Sequence, residues 1–312
     1  MPQRRPTLET ICMVEWLARY GYVPLMLVGI NGVAIAVART PWAGLWMVAL
    51  ITAAIGLSFA MERVLPYARE WNHSFGDARR DATHAFINET AMLVTVLIIP
   101  VTALLSPFHR WWPVSTPFAL QVLLAVAVAD LGITLVHMIS HRVGWLWRLH
   151  AVHHSVKRFY GFNGLMKHPA HGALELAAGT APLFAMGMPS SVAEALAVCI
   201  AVQLLLQHSN ADYRIGPMRS VLALNEGHRF HHLKWAGAGD VNFGLFTLTW
   251  DHALRTYSYD PRRRFRTEDL GMAAKPNYPA AYLAQLIEPF RARGACHFDD
   301  RPTATRRTSR AA

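Results

Sequence analysis

Charge is scarce in this chain: Asp, Glu, Lys and Arg make up 16% of its 312 residues, against about a quarter in an ordinary soluble domain. Hydrophobic residues reach 53% and the mean hydropathy is +0.20. With the apolar residues gathered in runs, this excludes an ordinary soluble globule and points to an integral membrane protein. Cysteine is nearly absent. Cys12, Cys199 and Cys296 have no paired spacing and no CxxC, so neither a disulfide framework nor a cysteine-ligated metal or iron–sulfur cluster is expected. The opening MPQRRPTLETICMVEW lacks the short apolar core and small-residue cleavage site of a signal peptide, so the first apolar run is expected to remain as a span. Acids are outnumbered by bases, 20 to 30, for a net charge of +10. No basic stripe sits on a soluble domain, so the excess reads as arginine flanking membrane spans rather than as a nucleic-acid surface. No internal repeat is evident.

The apolar runs set the architecture. A bilayer core takes about 20 residues of helix, and 21–38, 42–60, 90–106 and 117–137 come close to that length. Pro41 in ARTPW breaks the first two into a tight hairpin. Two shorter runs, 172–187 and 192–207, are split by Met-Pro-Ser-Ser and form either a full hairpin or one that dips in and returns. The expected fold is an all-α integral membrane protein with four to six transmembrane helices and a cytoplasmic helical cap. Arg4, Arg5, Arg19, Arg63, Arg69, Arg79, Arg80, Arg142, Arg148, Lys157, Arg158 and Lys167 fall on one side of this threading. By the positive-inside rule both termini and the 138–171 loop face the cytoplasm. Trp111, Trp112, Trp145 and Trp147 are either interfacial anchors or buried aromatics. Organisation follows as membrane spans over 1–116, a histidine-bearing catalytic region over 117–260, and a basic segment with a tail over 261–312. RRRFR at 262–266 reads as a solvated basic turn rather than a lipid head-group patch, and the segment after His297 as a disordered tail.

Histidine is what the chain has in excess. Of its sixteen, His137 and His141 are spaced i, i+4 at the end of the fourth run, on one helical face. His150, His153 and His154 form HxxHH, and His228, His231 and His232 repeat it. His168, His171 and His208 lie between. Neutral imidazole is a common ligand for iron, zinc, copper and nickel. Histidines that merely sit at a membrane interface do not explain two copies of one three-residue pattern. Eight boxed histidines exceed the three or four ligands of one zinc-type site, so a dinuclear site is expected. The boxes contain no carboxylate, unlike the Glu-rich soluble di-iron bundles. Asp130, Glu175, Glu226, Asp240 and Asp251 are candidates to receive the second ring N–H of the ligands. Asp130 is the sharpest, because an acid inside an apolar run must face the bundle interior or a partner.

HMISH, LWRLHAVHHS, the HP of KHPAH, QHSN, HRFHH and DVNFGLFTLTWDHALRTY occur in the order of the fatty acid hydroxylase / sterol desaturase superfamily, which the chain resembles over about 130–257. That resemblance implies a membrane-bound non-haem di-iron enzyme using dioxygen to hydroxylate or desaturate a lipid. It assigns His137, His141, His150, His153, His154, His208, His228, His231 and His232 as ligands, with His168 favoured over His171 for a further one because Pro169 completes the match. Asp212 can ligate or orient, but a solvated loop aspartate is the plainer reading. His252 and Arg255 depart from the family, where Arg and Gly are common. His73, His84, His109 and His297 match no motif. Lacking GxGxxG, CxxC and HPGG, the chain is expected to draw electrons from a separate protein such as a ferredoxin or a small cytochrome. Rival readings are a histidine-rich metal transporter, disfavoured because the boxes lie in loops and at a span end, and a catalytically inactive lipid-binding relative, disfavoured by intact boxes. Hydroxylation is the safer of the two reactions.

Overall fold

The computed structural model describes residues 8–235 and 237–291; Arg4, Arg5, His297 and the tail lie outside them. The described chain is helical: α1 (Leu8–Pro24), α2 (Asn31–Val37), α3 (Ala43–Val64), α4 (Ala78–Leu105), α5 (Phe118–Ser140), α6 (Gly144–His154), α7 (Pro169–Ala185), α8 (Ser190–Gln207), α9 (Asn225–His231), α10 (Thr249–Leu254) and α11 (Tyr282–Ile287). No β-strand forms among the described residues, where the extended pairings are the isolated bridges Pro66 with Ala211 and Leu222 with Thr247.

Among the described residues, four helical stretches are long and apolar enough to cross a membrane: Met13–Val37, Ala43–Val64, Phe118–Ser140 and Ser190–Gln207. The first joins α1 to α2 through a π-helical segment, Leu25–Ile30. Pro24 sits at its start, and a proline, lacking an N–H and crowding the preceding turn, favours such a widening. The expected runs at 90–106 and 172–187 overlap α4 and α7, which end at Leu105 and Ala185 and begin earlier, α4 in the polar stretch ARRDATH.

Burial explains how the spans associate. In α3, Met47, Leu50, Ala54, Ser58 and Glu62 are buried at steps of three and four, while Leu45 and Val48 on other faces are 69% and 61% exposed. A helix apolar on both its packed and its open face is one whose outside meets lipid. With 78% of its residues enclosed, α8 is the axis, packed by α2, α3, α4 and α5. Helices α5 and α7 form the most extensive pair. Their backbones touch at two glycines: a Cβ on Gly132 would stand 2.1 Å from the Ala178 carbonyl oxygen, and one on Gly179 would meet Ile133 at 2.9 Å. Small residues at such crossings let spans approach closely.

A second apolar core, Trp71, Phe159, Phe230, Phe265 and Leu270, lies apart from the spans and builds the cap. Arg158 fastens it, donating Nε and Nη2 to the two Asp77 carboxylate oxygens at 2.8 Å and Nη1 to the Trp71 carbonyl at 2.9 Å. Of the four tryptophans, Trp111 and Trp145 are exposed, as an interfacial role needs, and Trp112 is buried. Trp147 packs edge-on against His141, with ring centroids 4.9 Å apart. The basic turn at 262–266 is tied down, with Arg263 paired to Asp269 at 2.6 Å and Phe265 buried.

Candidate metal centre

Four helices end at one place. His137 lies in the last turn of α5 and His141 caps it; His150, His153 and His154 close α6. His208 caps α8, His228 and His231 occupy the short α9, and His232 caps it. The C-terminal end of a helix carries about half a negative charge, so the convergence of these ends favours a bound cation before any side chain is considered.

The side chains sort into two clusters, His137, His141, His150, His154 and His231 in one, and His153, His208, His228 and His232 in the other. The sorting cuts across the sequence boxes. In each HxxHH, the i, i+4 pair goes to one cluster and the middle histidine crosses to the other. His150 and His154 join the first while His153 joins the second; His228 and His232 join the second while His231 joins the first. The clusters touch, with the His154 and His232 rings stacked at 4.6 Å and those of His228 and His231 at 5.0 Å.

Hydrogen bonds fix the tautomers. Nδ1–H donates from His137 to the Phe243 carbonyl and from His231 to the Val241 carbonyl, each at 2.9 Å. His153 donates to Met166 at 3.2 Å, His208 to Leu204 at 3.3 Å, and His141 to the Asp240 carboxylate at 2.9 Å. Each of these rings, when neutral, is left with a bare lone pair on Nε2. The Nε2 atoms nevertheless face one another: 2.9 Å from His137 to His231, 3.3 Å from His153 to His208. Lone pairs at that range repel unless a cation lies between them. Two nitrogens at the usual bond length of about 2.1 Å from one metal ion stand roughly 3.0–3.4 Å apart. The remaining Nε2 contacts, His141–His154, His150–His154, His208–His228 and His228–His232, run from 3.0 to 3.1 Å. The donor set therefore fits two metal ions held by imidazole.

Protonation agrees with this. Burial holds His150, His153, His154, His228, His231 and His232 well below the ordinary histidine range, and their mutual proximity adds to it. His208 is brought down to about 3, chiefly by burial. Burial also lowers His141, against the pull of Asp240. All are neutral, and able to bind a metal, at neutral pH.

His168, expected as a ligand ahead of His171, stands outside both clusters. It caps the start of α7, where its Nδ1 accepts the Ala170 N–H at 3.1 Å, and its Nε2 meets the Leu286 carbonyl at 3.2 Å. His171, one turn in, points at the centre, grouped with His150 and Glu175. The Ser140 hydroxyl donates to the Val136 carbonyl and so accepts from His171 Nε2 at 2.9 Å. That leaves the buried Nδ1 of His171 with no hydrogen-bond partner among the described residues. Asp212 is paired with Arg19 and Arg214, at 2.6 and 3.2 Å, away from the clusters.

Of the five candidate acids, Asp240 alone accepts a ring N–H from a boxed histidine. Asp130 accepts instead from the Leu245, Phe246 and Thr247 amides and the Thr247 hydroxyl, at 2.7–3.4 Å. Asp251 accepts from the Phe243 and Gly244 amides at 2.8 and 2.9 Å. Together they hold the loop whose Phe243 carbonyl orients His137, and Asn242 starts that loop with φ +54°. Glu226 pairs with Arg219, and Glu175 with Lys167 at 2.5 Å. Glu62, which sequence reasoning passed over, accepts from the Gly161 and Asn210 amides at 2.8 and 3.1 Å. The argument that singled out Asp130, an acid within an apolar span, applies equally to it. His84 is structural, bonded to Lys167 and Gln285.

Fold and site define a class: a multi-span helical membrane protein whose helix ends present an all-imidazole, dinuclear-type cluster. The family model of the fatty acid hydroxylases matches residues 122–256. The chain is 30% identical over 259 residues to ornithine lipid hydroxylase OlsE of Rhizobium tropici, covering 80% of this chain and 77% of that one. It is 28% identical over 138 residues to an alkylglycerol monooxygenase of Danio rerio, covering 43% of this chain and 30% of the relative. For the Caenorhabditis elegans alkylglycerol monooxygenase the figures are 26% over 121 residues, 39% and 24%. No solved structure matches. The chain belongs to the fatty acid hydroxylase / sterol desaturase superfamily.

Proposed function

We propose that this protein is a di-iron lipid hydroxylase that uses dioxygen and draws electrons from a separate redox protein. The observation that carries the reading is the facing of bare Nε2 lone pairs within each of two adjoining clusters. Its relatives, an ornithine lipid hydroxylase and alkylglycerol monooxygenases, are lipid oxygenases by name. His137, His141, His150, His154 and His231 would hold one iron, and His153, His208, His228 and His232 the other. The iron pair, when bound, supplies the activation of dioxygen and the oxidation of an unreactive C–H bond. Overall, a C–H bond, O2, two electrons and two protons give an alcohol and water.

The chain's own residues prepare that reaction. Carbonyls of Val241, Phe243, Met166 and Leu204 and the Asp240 carboxylate hold the imidazoles in the ligating tautomer. Ile133, Leu204, Phe243 and Leu245 line the small cavity against the rings and keep water from it. Following the arginine distribution, the centre faces the cytoplasm, where reductants are found.

The test is expression in a lipid-rich host, with lipid mass spectrometry of wild type against His153→Ala. A lipid gaining one oxygen only with the wild type supports the reading. Metal analysis is the second arm: two irons per chain are expected, and fewer than two bound metals in reconstituted protein would sink the dinuclear assignment.

A further inference from the structure

A cavity of about 200 Å³ lies between α4, α7 and α8 and adjoins the histidine centre. It shares Ile133, Lys167, Glu175, Leu204 and Leu245 with the small cavity against the rings. At its other side it shares Met92, Leu176 and Ile200 with a third, apolar cavity that continues to Phe184 and Met188. The three follow α7 from Gly172 to Phe184, ~18 Å of helix. This is a path fit for a lipid chain, with the histidines at one end.

Its ionisable lining is unbalanced. Lys167 and Glu175 neutralise each other at 2.5 Å. Glu89, one helical turn before Met92 on α4, also lines the cavity, and no hydrogen bond or ion pair from a described residue reaches its carboxylate. Neighbouring Asn88 is no help, since its amide is committed to the Leu165 and Lys167 carbonyls. A carboxylate in an apolar cavity is costly unless it meets an opposite charge or a donor. When ionised, Glu89 leaves the lining with one excess negative charge, which calls for one positive charge on the occupant and disfavours a phosphate.

We infer that Glu89 selects an ammonium-bearing lipid, holding its cationic end toward the histidine centre while the chain runs along α7 toward Phe184. This rests on the hydroxylase reading for the reaction that follows, but not for the binding.

The test uses the full chain, iron-reconstituted in nanodiscs and kept anaerobic so that binding is read without turnover. The probes are ornithine lipid and the same lipid N-acetylated at its free amine, which keeps the chains and the carboxylate and removes the positive charge. Wild type should bind the free-amine lipid at least about tenfold more tightly, and Glu89→Gln should erase that preference. Equal binding of the two lipids by the wild type overturns the inference without recourse to any variant, as does a preference that survives in Glu89→Gln. Admitting air together with a chemical reductant, which supplies the two electrons of each turnover, separates the two readings. An amine preference with no oxygen added leaves the Glu89 assignment standing and sinks the hydroxylase; oxygen added equally to both lipids does the reverse.

Discussion

Asp240 illustrates what a single side chain contributes. It is the one carboxylate among the five candidates to accept a ring N–H from a boxed histidine, His141, at 2.9 Å, and so sets that ring's tautomer. Partners of this kind typically change metal affinity by about 10- to 100-fold. Asp240→Ala is therefore expected to weaken iron retention by that factor in a chelator competition, and Asp240→Asn, which keeps an acceptor oxygen, by less. Unchanged retention in both would remove the residue from the site. Most of the histidine clustering was legible in the sequence because i, i+3, i+4 spacing is local and survives any tertiary arrangement. Which of His168 and His171 faces the clusters was not. It depends on where α7 begins, since His168 becomes the cap ahead of Pro169 and folds onto the Ala170 N–H. It also depends on Ser140 of another helix, whose hydroxyl turns His171.

At the scale of elements, helix ends decide what the chain can do. The short α10 stops at Arg255, whose φ of +59° is left-handed, a conformation costing a side-chain-bearing residue about 1–2 kcal/mol. The sequence flagged this position as a departure from a common glycine, and the backbone gives the reason: the chain must turn here so that Asn242 N–H can reach the Thr256 carbonyl at 3.1 Å. Arg255→Gly is expected to stabilise the protein by about 1 kcal/mol, less the extra entropy glycine has when unfolded. A thermal melt in detergent should rise by about 1–3 °C; a fall would mean that the arginine side chain makes a compensating contact. The spans themselves were legible from length and apolar content. The polar lead-in of α4 was not, because it is held by contacts such as Asn88 to the Leu165 carbonyl, which join residues distant in sequence.

For the whole molecule, the buried imidazoles make stability a function of pH. His141, His150, His153, His154, His208, His228, His231 and His232 all lie below the ordinary value of 6.5 in the fold. Above about pH 6.5 folded and unfolded chains carry the same charge on these rings. Below it the unfolded chain takes up protons that the folded one refuses, so stability falls with pH, by up to about 1.4 kcal/mol per pH unit for each ring. Metal-free protein should melt at a steady temperature above pH 7 and lose it steeply between pH 6.5 and 5. A flat profile would mean that the rings are not buried in the neutral form. The two HxxHH helices, α6 and α9, each lend histidines to both clusters, and this bears on how the centre is loaded. An ion taken up by the five-histidine cluster immobilises both helices and thereby orders three of the four histidines of the other, His153, His228 and His232. Metal uptake is then expected to be cooperative: iron titration of the metal-free chain should pass from none to two with little singly loaded protein, closer to all-or-none than to stepwise.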